Sequence, residues 1–203
     1  MSAHATQPED SPAHAPVPNL NIANVLTTIR IIMVPFFVWA LLADNSEQGL
    51  WRWVALALFV VAMYTDKLDG DLARSRGLIT NFGKIADPIA DKLLTGSALV
   101  VLSMLGELAW WITIVILVRE WGITLLRLAV IRYGVIAANM GGKVKTVMQA
   151  VVIGLYLLPF TQTIDWLNMI AFILMLLTMA VTVLTGLEYI YKAAKLRSAA
   201  KAK

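Results

Sequence analysis

The sequence contains no cysteine, and its two histidines, His4 and His14, both lie near the N-terminus. Without cysteine the chain can form neither a disulfide nor a zinc–thiolate site, and cysteine usage says nothing about its redox compartment. Without histidine beyond residue 14, the apolar remainder excludes serine–histidine catalysis and a histidine-based metal site. Ionised chemistry there depends on aspartate, glutamate, lysine and arginine.

Charge is also scarce, because only 15% of the 203 residues are charged while 59% are hydrophobic. The mean hydropathy is +0.74. Soluble domains carry roughly 25% charged residues, so this composition argues against an ordinary soluble fold. Helices satisfy their own backbone hydrogen bonds in lipid, and an all-α, multi-pass integral membrane protein is therefore the predicted class. A very apolar soluble bundle is the alternative.

Six apolar segments follow a polar start. Residues 1–18 contain four of the seven prolines and few bulky apolar residues, which predicts a disordered tail and not a signal peptide. We predict one domain of six transmembrane helices over residues 19–195 and a basic tail over 196–203. Several segments are shorter than the roughly 20 residues of a full span, so helices two to four should extend beyond the bilayer. The segments lie near Ile29–Ala43, Leu50–Tyr64, Ile89–Leu105, Trp110–Val130, Val147–Phe160 and Trp166–Tyr189.

The distribution of basic residues predicts the orientation. Three of the linkers, "DNSEQG", "GEL" and "TQTID", contain no lysine or arginine, whereas the opposite side receives most of the basic residues. The positive-inside rule makes that opposite side cytoplasmic and places both termini there, with Arg52 as the one clear exception. The net charge of +4 is then mainly a topology signal, with some attraction to anionic lipid. Nucleic-acid binding is not indicated.

Four aspartates follow helical spacing on two neighbouring segments. Asp66 and Asp69 are three residues apart, Asp87 and Asp91 are four apart, and each pair shares a helix face. The connection is short, so the two helices should be antiparallel and bring the four carboxylates together near the cytoplasmic rim. Clustered anions repel unless cations hold them, and oxygen ligands suit a divalent ion such as Mg²⁺. One alternative is that these aspartates are solvated residues at helix ends, which is how we interpret Asp71. Another is that they form the ion site of a divalent-cation transporter.

The spacing of the residues between Asp66 and Asp91 also resembles the signature of a known protein family. The stretch Asp66-x2-Asp69-Gly70-x2-Ala73-Arg74-x8-Gly83-x3-Asp87-x3-Asp91 resembles the signature of the CDP-alcohol phosphotransferases, with every signature position matched. Three further stretches resemble segments of the members that use glycerol 3-phosphate as acceptor. They are "NIANVLTTIR" at 21–30, "VREWGITLLR" at 118–127 and "GGKVKTVMQ" at 141–149.

The resemblance implies a six-helix enzyme with the CDP-alcohol phosphotransferase fold, in the bacterial cytoplasmic membrane and with a cytoplasmic active site. It would transfer a phosphatidyl group from CDP-diacylglycerol to glycerol 3-phosphate, release CMP, and use two divalent ions, Mg²⁺ or Mn²⁺. Family members are often homodimers, so the resemblance also implies a homodimer for this chain. The metal ligands implied are Asp66, Asp69, Asp87 and Asp91, of which Asp91 would also deprotonate the acceptor. The CDP-diacylglycerol pocket implied is Asp66, Gly70, Ala73, Arg74 and Gly83.

A second group of polar residues lies on later segments and is our candidate for binding the acceptor's phosphate. Arg119 lies within an apolar run, where an unpaired guanidinium is costly, so it should have a partner. Arginine gives phosphate bidentate contacts and lysine a point charge. The alternatives are that Arg119 pairs with a helix-packing carboxylate and that the lysines only mark topology. The alternatives to glycerol 3-phosphate as acceptor are inositol phosphate and phosphatidylglycerol. The candidate residues are Arg119, Lys143, Lys145, Thr146, Gln149 and Arg30.

Overall fold

The computed structural model describes residues 21–75, 81–130 and 140–201, and this part of the chain is helical apart from short turns. The predicted all-α class is confirmed, because each of the six apolar segments coincides with one helix. The predicted tail at 1–18 lies outside the described residues. The helices are α1 (Ile22–Asp44), α2 (Leu50–Ser75), α3 (Asn81–Met104), α4 (Trp110–Val130), α5 (Met140–Leu157) and α6 (Asp165–Lys201).

Helix α1 begins and ends at asparagines. The Asn21 side chain accepts a hydrogen bond from the backbone N–H of Asn24 at 3.0 Å, which satisfies one of the free donors of the first turn. Asn45 follows the helix with a φ of 46°, the left-handed conformation that terminates helices and that asparagine tolerates. These two residues therefore define the ends of the helix that packs against both α2 and α3.

The charged region does not interrupt the helices. The apolar segments end at Tyr64 and resume at Ile89, but α2 continues to Ser75 and α3 already begins at Asn81. Two helical extensions therefore carry the aspartates. This continuity agrees with the expected extensions of these helices, although their position relative to a bilayer remains a prediction.

The helices pack around an apolar core. Helix α1 contacts α2 and α3, and α6 contacts α4 and α5. Contacts of α3 with α4, and of α5 with α2 and α3, join the two groups. Fully buried side chains such as Phe37, Leu99, Ile112 and Ile153 come from four different helices. The core thus fixes which ends of the helices meet.

Much of the outer surface is apolar as well. Phe36, Trp39 and Trp166 are among many large hydrophobic side chains that are more than half exposed. Within the described residues, two helical stretches are long and apolar enough to cross a membrane, Asn24–Asp44 and Asp165–Ser198. Exposed apolar surface on this scale is typical of contact with lipid. The crossing of all six helices is not established by these two stretches.

Arg52 is fully buried at the N-terminal end of α2. Its guanidinium donates hydrogen bonds to both carboxylate oxygens of Glu107 and to the backbone carbonyl of Tyr156, the latter at 2.7 Å. Asp44 lies 3.9 Å from the same guanidinium. Arg52, the one basic residue that did not fit the predicted topology, is therefore paired inside the protein, where it joins α2 to the α3–α4 turn and α5.

Candidate active site

Side chains from five helices line a cavity of about 850 Å³ at one end of the bundle. The C-terminal half of α2 and the N-terminal half of α3 contribute the aspartates, and α4 and α6 contribute one glutamate each. The middle of α4 and the first turns of α5 contribute most of the basic residues, and α6 adds a further wall. The lining includes Asp66, Gly70, Asp87, Asp91, Arg119, Glu120, Lys143, Lys145, Thr146, Thr185 and Glu188.

Three of the four predicted carboxylates, Asp66, Asp87 and Asp91, line this cavity. Helix α1 contacts two of them. The buried Arg30 guanidinium lies 2.6 Å from Asp66 Oδ1, and the Thr27 hydroxyl donates a hydrogen bond to Asp87 Oδ1 at 2.6 Å. Helix α1 therefore fixes the positions of Asp66 and Asp87, two acidic side chains of the cavity wall that are distant from it in sequence.

The predicted metal site is only partly described. Among the side chains that the structure describes, no three acidic groups are close enough to hold a metal ion. The side chain of Asp69, the fourth predicted ligand, lies outside the described residues. The donors that do line the cavity are carboxylate oxygens, the ligands that Mg²⁺ and Mn²⁺ prefer. In chemical type, Asp66, Asp87 and Asp91 therefore fit a divalent ion.

The residues implied for CDP-diacylglycerol binding are described in part. Gly70 lines the cavity one turn after Asp66, so a ligand can approach the α2 backbone there. Ala73 and Arg74 lie in α2 and Gly83 lies in α3, but the surroundings of these three residues are not among the described parts of the structure. The nucleotide pocket therefore stays a prediction.

The Arg119 guanidinium has the partner that its apolar surroundings require. It donates one hydrogen bond to Glu120 Oε1 and another to Thr185 Oγ1 of α6, both at 2.7 Å. Lys145 of α5 lies 2.6 Å from the same Glu120 oxygen. Burial lowers the pKa of Lys145 below its usual value, and the neighbouring Glu120 carboxylate opposes that shift. The expectation that Arg119 has a partner is confirmed, and the partner is a carboxylate, as the alternative interpretation of Arg119 predicted.

The other predicted acceptor residues are placed differently from one another. Lys143 and Thr146 are exposed and line the cavity, and the Thr146 hydroxyl donates to the backbone carbonyl of Gly142 at 3.1 Å. Gln149 is buried one turn further along α5 and is not on the cavity wall. Arg30 likewise lies behind Asp66 rather than on the wall.

Sequence reasoning missed Glu120 and the α6 wall. Glu120 follows Arg119 directly in an apolar run, so the argument about the cost of an intramembrane charge applied to it equally. For Thr185 no local signal existed, because its contact with Arg119 spans 66 residues of sequence.

Comparison with known proteins relates most of the chain to one family. Residues 20–184 match the family model of CDP-alcohol phosphatidyltransferase. A probable phosphatidylglycerophosphate synthase of Mycobacterium tuberculosis is 48% identical over 191 residues, which cover 94% of this chain and 90% of that protein. A CDP-diacylglycerol–glycerol-3-phosphate 3-phosphatidyltransferase of Bacillus subtilis is 39% identical, covering 85% and 94%. An enzyme of the same name from Rickettsia felis is 35% identical, covering 86% and 96%.

Proposed function

The chain belongs to the CDP-alcohol phosphatidyltransferase family, and we propose that it transfers a phosphatidyl group from CDP-diacylglycerol to glycerol 3-phosphate. The products are phosphatidylglycerophosphate and CMP. The single observation that carries this function is the composition of the 850 Å³ cavity, in which carboxylates from α2 and α3 face the same space as cations from α4 and α5. Such a cavity can take a metal-bound pyrophosphate and a second, separate phosphate.

The donor's ionic head would lie against α2 and α3, with its acyl chains in lipid. Members of this family generally depend on a divalent metal, and a bound Mg²⁺ or Mn²⁺ would neutralise the pyrophosphate for attack. We assign two such ions to Asp66, Asp69, Asp87 and Asp91. Arg30 and Thr27 support this arrangement, because they orient Asp66 and Asp87 from α1.

The transfer forms one phosphorus–oxygen bond and breaks another. An acceptor hydroxyl attacks the phosphorus that carries the diacylglycerol, and CMP leaves with the electron pair of the broken bond. Asp91 takes the hydroxyl proton, as a carboxylate within hydrogen-bond reach can. Asp91 lines the cavity one turn after Asp87, which supports this role.

The acceptor's own phosphate would bind to cations of α4 and α5. Arg119 and Lys145 are held close together through Glu120, and the exposed Lys143 lines the same cavity. A guanidinium and two ammonium groups carry more positive charge than the Glu120 carboxylate neutralises, so they suit a phosphate monoester better than a neutral alcohol. This favours glycerol 3-phosphate over a diol. Phosphatidylglycerol and inositol phosphate remain the acceptors to be tested against it.

We also propose the arrangement in the membrane. All six helices would cross the cytoplasmic membrane of a bacterium, with the cavity and both termini on the cytoplasmic side. The exposed apolar side chains support lipid contact, and the basic residues around the cavity support that orientation. A homodimer is the expected assembly by family resemblance.

The decisive experiment is an acceptor panel with purified protein. CMP release from CDP-diacylglycerol would be measured with Mg²⁺ and glycerol 3-phosphate, inositol phosphate or phosphatidylglycerol, and the lipid product identified by mass. We expect phosphatidylglycerophosphate only with glycerol 3-phosphate. Turnover with another acceptor alone would overturn the assignment of acceptor, and metal transport without CMP release would overturn the assignment as an enzyme.

A further inference from the structure

Glu120 connects two cations that come from different helices. Its Oε1 atom lies 2.7 Å from Arg119 Nη1 and 2.6 Å from Lys145 Nζ. The Glu120 side chain is only 14% exposed and that of Lys145 only 7%, so the three charges meet in a poorly hydrated place. Thr185 receives the second guanidinium hydrogen bond and so holds Arg119 on its other side.

We propose that Glu120 is the positioning residue of the acceptor site. Its carboxylate holds Arg119 and Lys145 side by side at the cavity wall, in the arrangement that receives the phosphate of a phosphate monoester. Glu120 itself touches neither the acceptor nor the reacting atoms. This inference rests on the proposed function, because it needs glycerol 3-phosphate as the acceptor.

Two physical effects of Glu120 on phosphate binding have opposite signs. Its negative charge repels the incoming phosphate, so charge alone predicts that removing it would strengthen binding. Its removal would also leave two like charges adjacent and poorly solvated, and they would separate or turn away. A pair of cations that is already in place loses less conformational freedom when the phosphate arrives. We expect positioning to dominate, because both cations share one oxygen and Lys145 has little access to water.

The test compares two neutral substitutions in the same cavity. Glu120→Gln keeps the size of the side chain and removes its charge. Glu188→Gln makes the same change at another cavity-lining carboxylate, which forms an ion pair with the exposed Lys192. Among the described residues, Arg119 and Lys145 pair with Glu120 instead. Initial rates would be measured against both substrates, with thermal unfolding in detergent as the folding check.

The positioning role predicts a specific pattern. Glu120→Gln should raise the KM for glycerol 3-phosphate roughly 10-fold or more, the scale of one charged hydrogen bond to a ligand. Its KM for CDP-diacylglycerol should stay close to the parent value. The inhibition constant of inorganic phosphate should rise in parallel, which a merely structural role would not produce. Glu188→Gln should not raise the acceptor KM, and Glu120→Asp should lie between the parent and Glu120→Gln.

Each other outcome has a definite meaning. A folded Glu120→Gln with an unchanged or lowered acceptor KM would overturn the positioning role and leave the proposed function standing. If Glu120→Gln does not fold, Glu120→Asp decides, because it keeps the charge but withdraws it by one methylene; a parental acceptor KM would then overturn the role. A parent protein that does not use glycerol 3-phosphate would instead overturn the proposed function.

Discussion

The hydroxyl of Thr27 donates a hydrogen bond of 2.6 Å to Oδ1 of Asp87, across 60 residues of sequence. Thr27 is buried in α1, and Asp87 lies on the cavity wall in α3. The bond fixes the orientation of one carboxylate oxygen, and no hydrogen bond from another described residue occupies the second. Groups that orient a ligating carboxylate in this way contribute to metal affinity without touching the metal.

Thr27→Val should therefore weaken metal activation while preserving the shape of the side chain. We expect the Mg²⁺ concentration for half-maximal activity to rise roughly 10- to 100-fold, the usual effect of losing such a contact. The measurement is a Mg²⁺ titration of initial rates. Thr28→Val is the matched control, because the Thr28 hydroxyl donates to the backbone carbonyl of Asn24 at 2.8 Å instead. Equal half-activation in the two variants would contradict the role of Thr27.

The carboxylates themselves should be required for transfer. Asp66→Asn, Asp69→Asn and Asp87→Asn should each abolish CMP release without unfolding the protein, because each removes a charge that helps hold the metals. Removing divalent ions with a chelator should have the same effect on the parent and be reversed by Mg²⁺. Asp71→Asn, predicted to be a solvated helix residue, is the control. Substantial activity in any two of the three variants at saturating metal would exclude the site as proposed.

Gly186 of α6 packs closely against the side chain of Arg119. A Cβ added at Gly186 would lie 3.1 Å from both Cγ and Nε of Arg119, closer than ordinary van der Waals contact. Because Arg119 is tethered to Glu120 and Thr185, Gly186→Ala should displace the guanidinium by a few tenths of an ångström and raise the acceptor KM severalfold. Gly122→Ala on α4 is the control, since a Cβ there meets nothing within 4 Å. Steady-state kinetics with varied glycerol 3-phosphate would compare the acceptor KM of the two variants.

The buried Arg52 should matter for stability rather than for catalysis. Arg52→Met would leave Glu107 buried without its cation, which costs about 3–5 kcal/mol. Lys192→Met breaks an exposed pair with Glu188 instead and should cost about 0.5 kcal/mol. Thermal unfolding in detergent would rank the two variants. A similar melting temperature for both would show that the Arg52 contacts contribute little.

The orientation can be tested with single cysteines, because the native chain has none. Ser46 donates a hydrogen bond to Glu107 at 2.8 Å, so the α1–α2 and α3–α4 turns lie at the same end, whereas Gly142 lines the cavity. Asn45→Cys and Thr163→Cys should react with an impermeant thiol reagent added to intact cells, and Gly142→Cys should react only after lysis. Labelling at 142 but not at 45 in intact cells would reverse the proposed topology.

Local pattern in the sequence was sufficient for the class of fold and for the residues on the acidic wall. Six apolar segments predicted six helices because apolar composition and helical length act over short distances along the chain. The spacing of Asp66, Asp87 and Asp91 placed them on helix faces, and the short connection between α2 and α3 brought those faces to one cavity. The exact helix ends were not predictable, since charged residues continue a helix as readily as they end one.

The contacts that organise the site depended on tertiary structure. Thr27 with Asp87, Arg30 with Asp66, and Arg119 with Thr185 join residues that are 36 to 66 positions apart. Each contact requires a particular rotation of one helix against another, which core packing between the helices determines and local periodicity does not. The same reason explains Glu120: the sequence placed it beside Arg119, but only the packing of α5 against the other helices brought Lys145 to the same carboxylate oxygen.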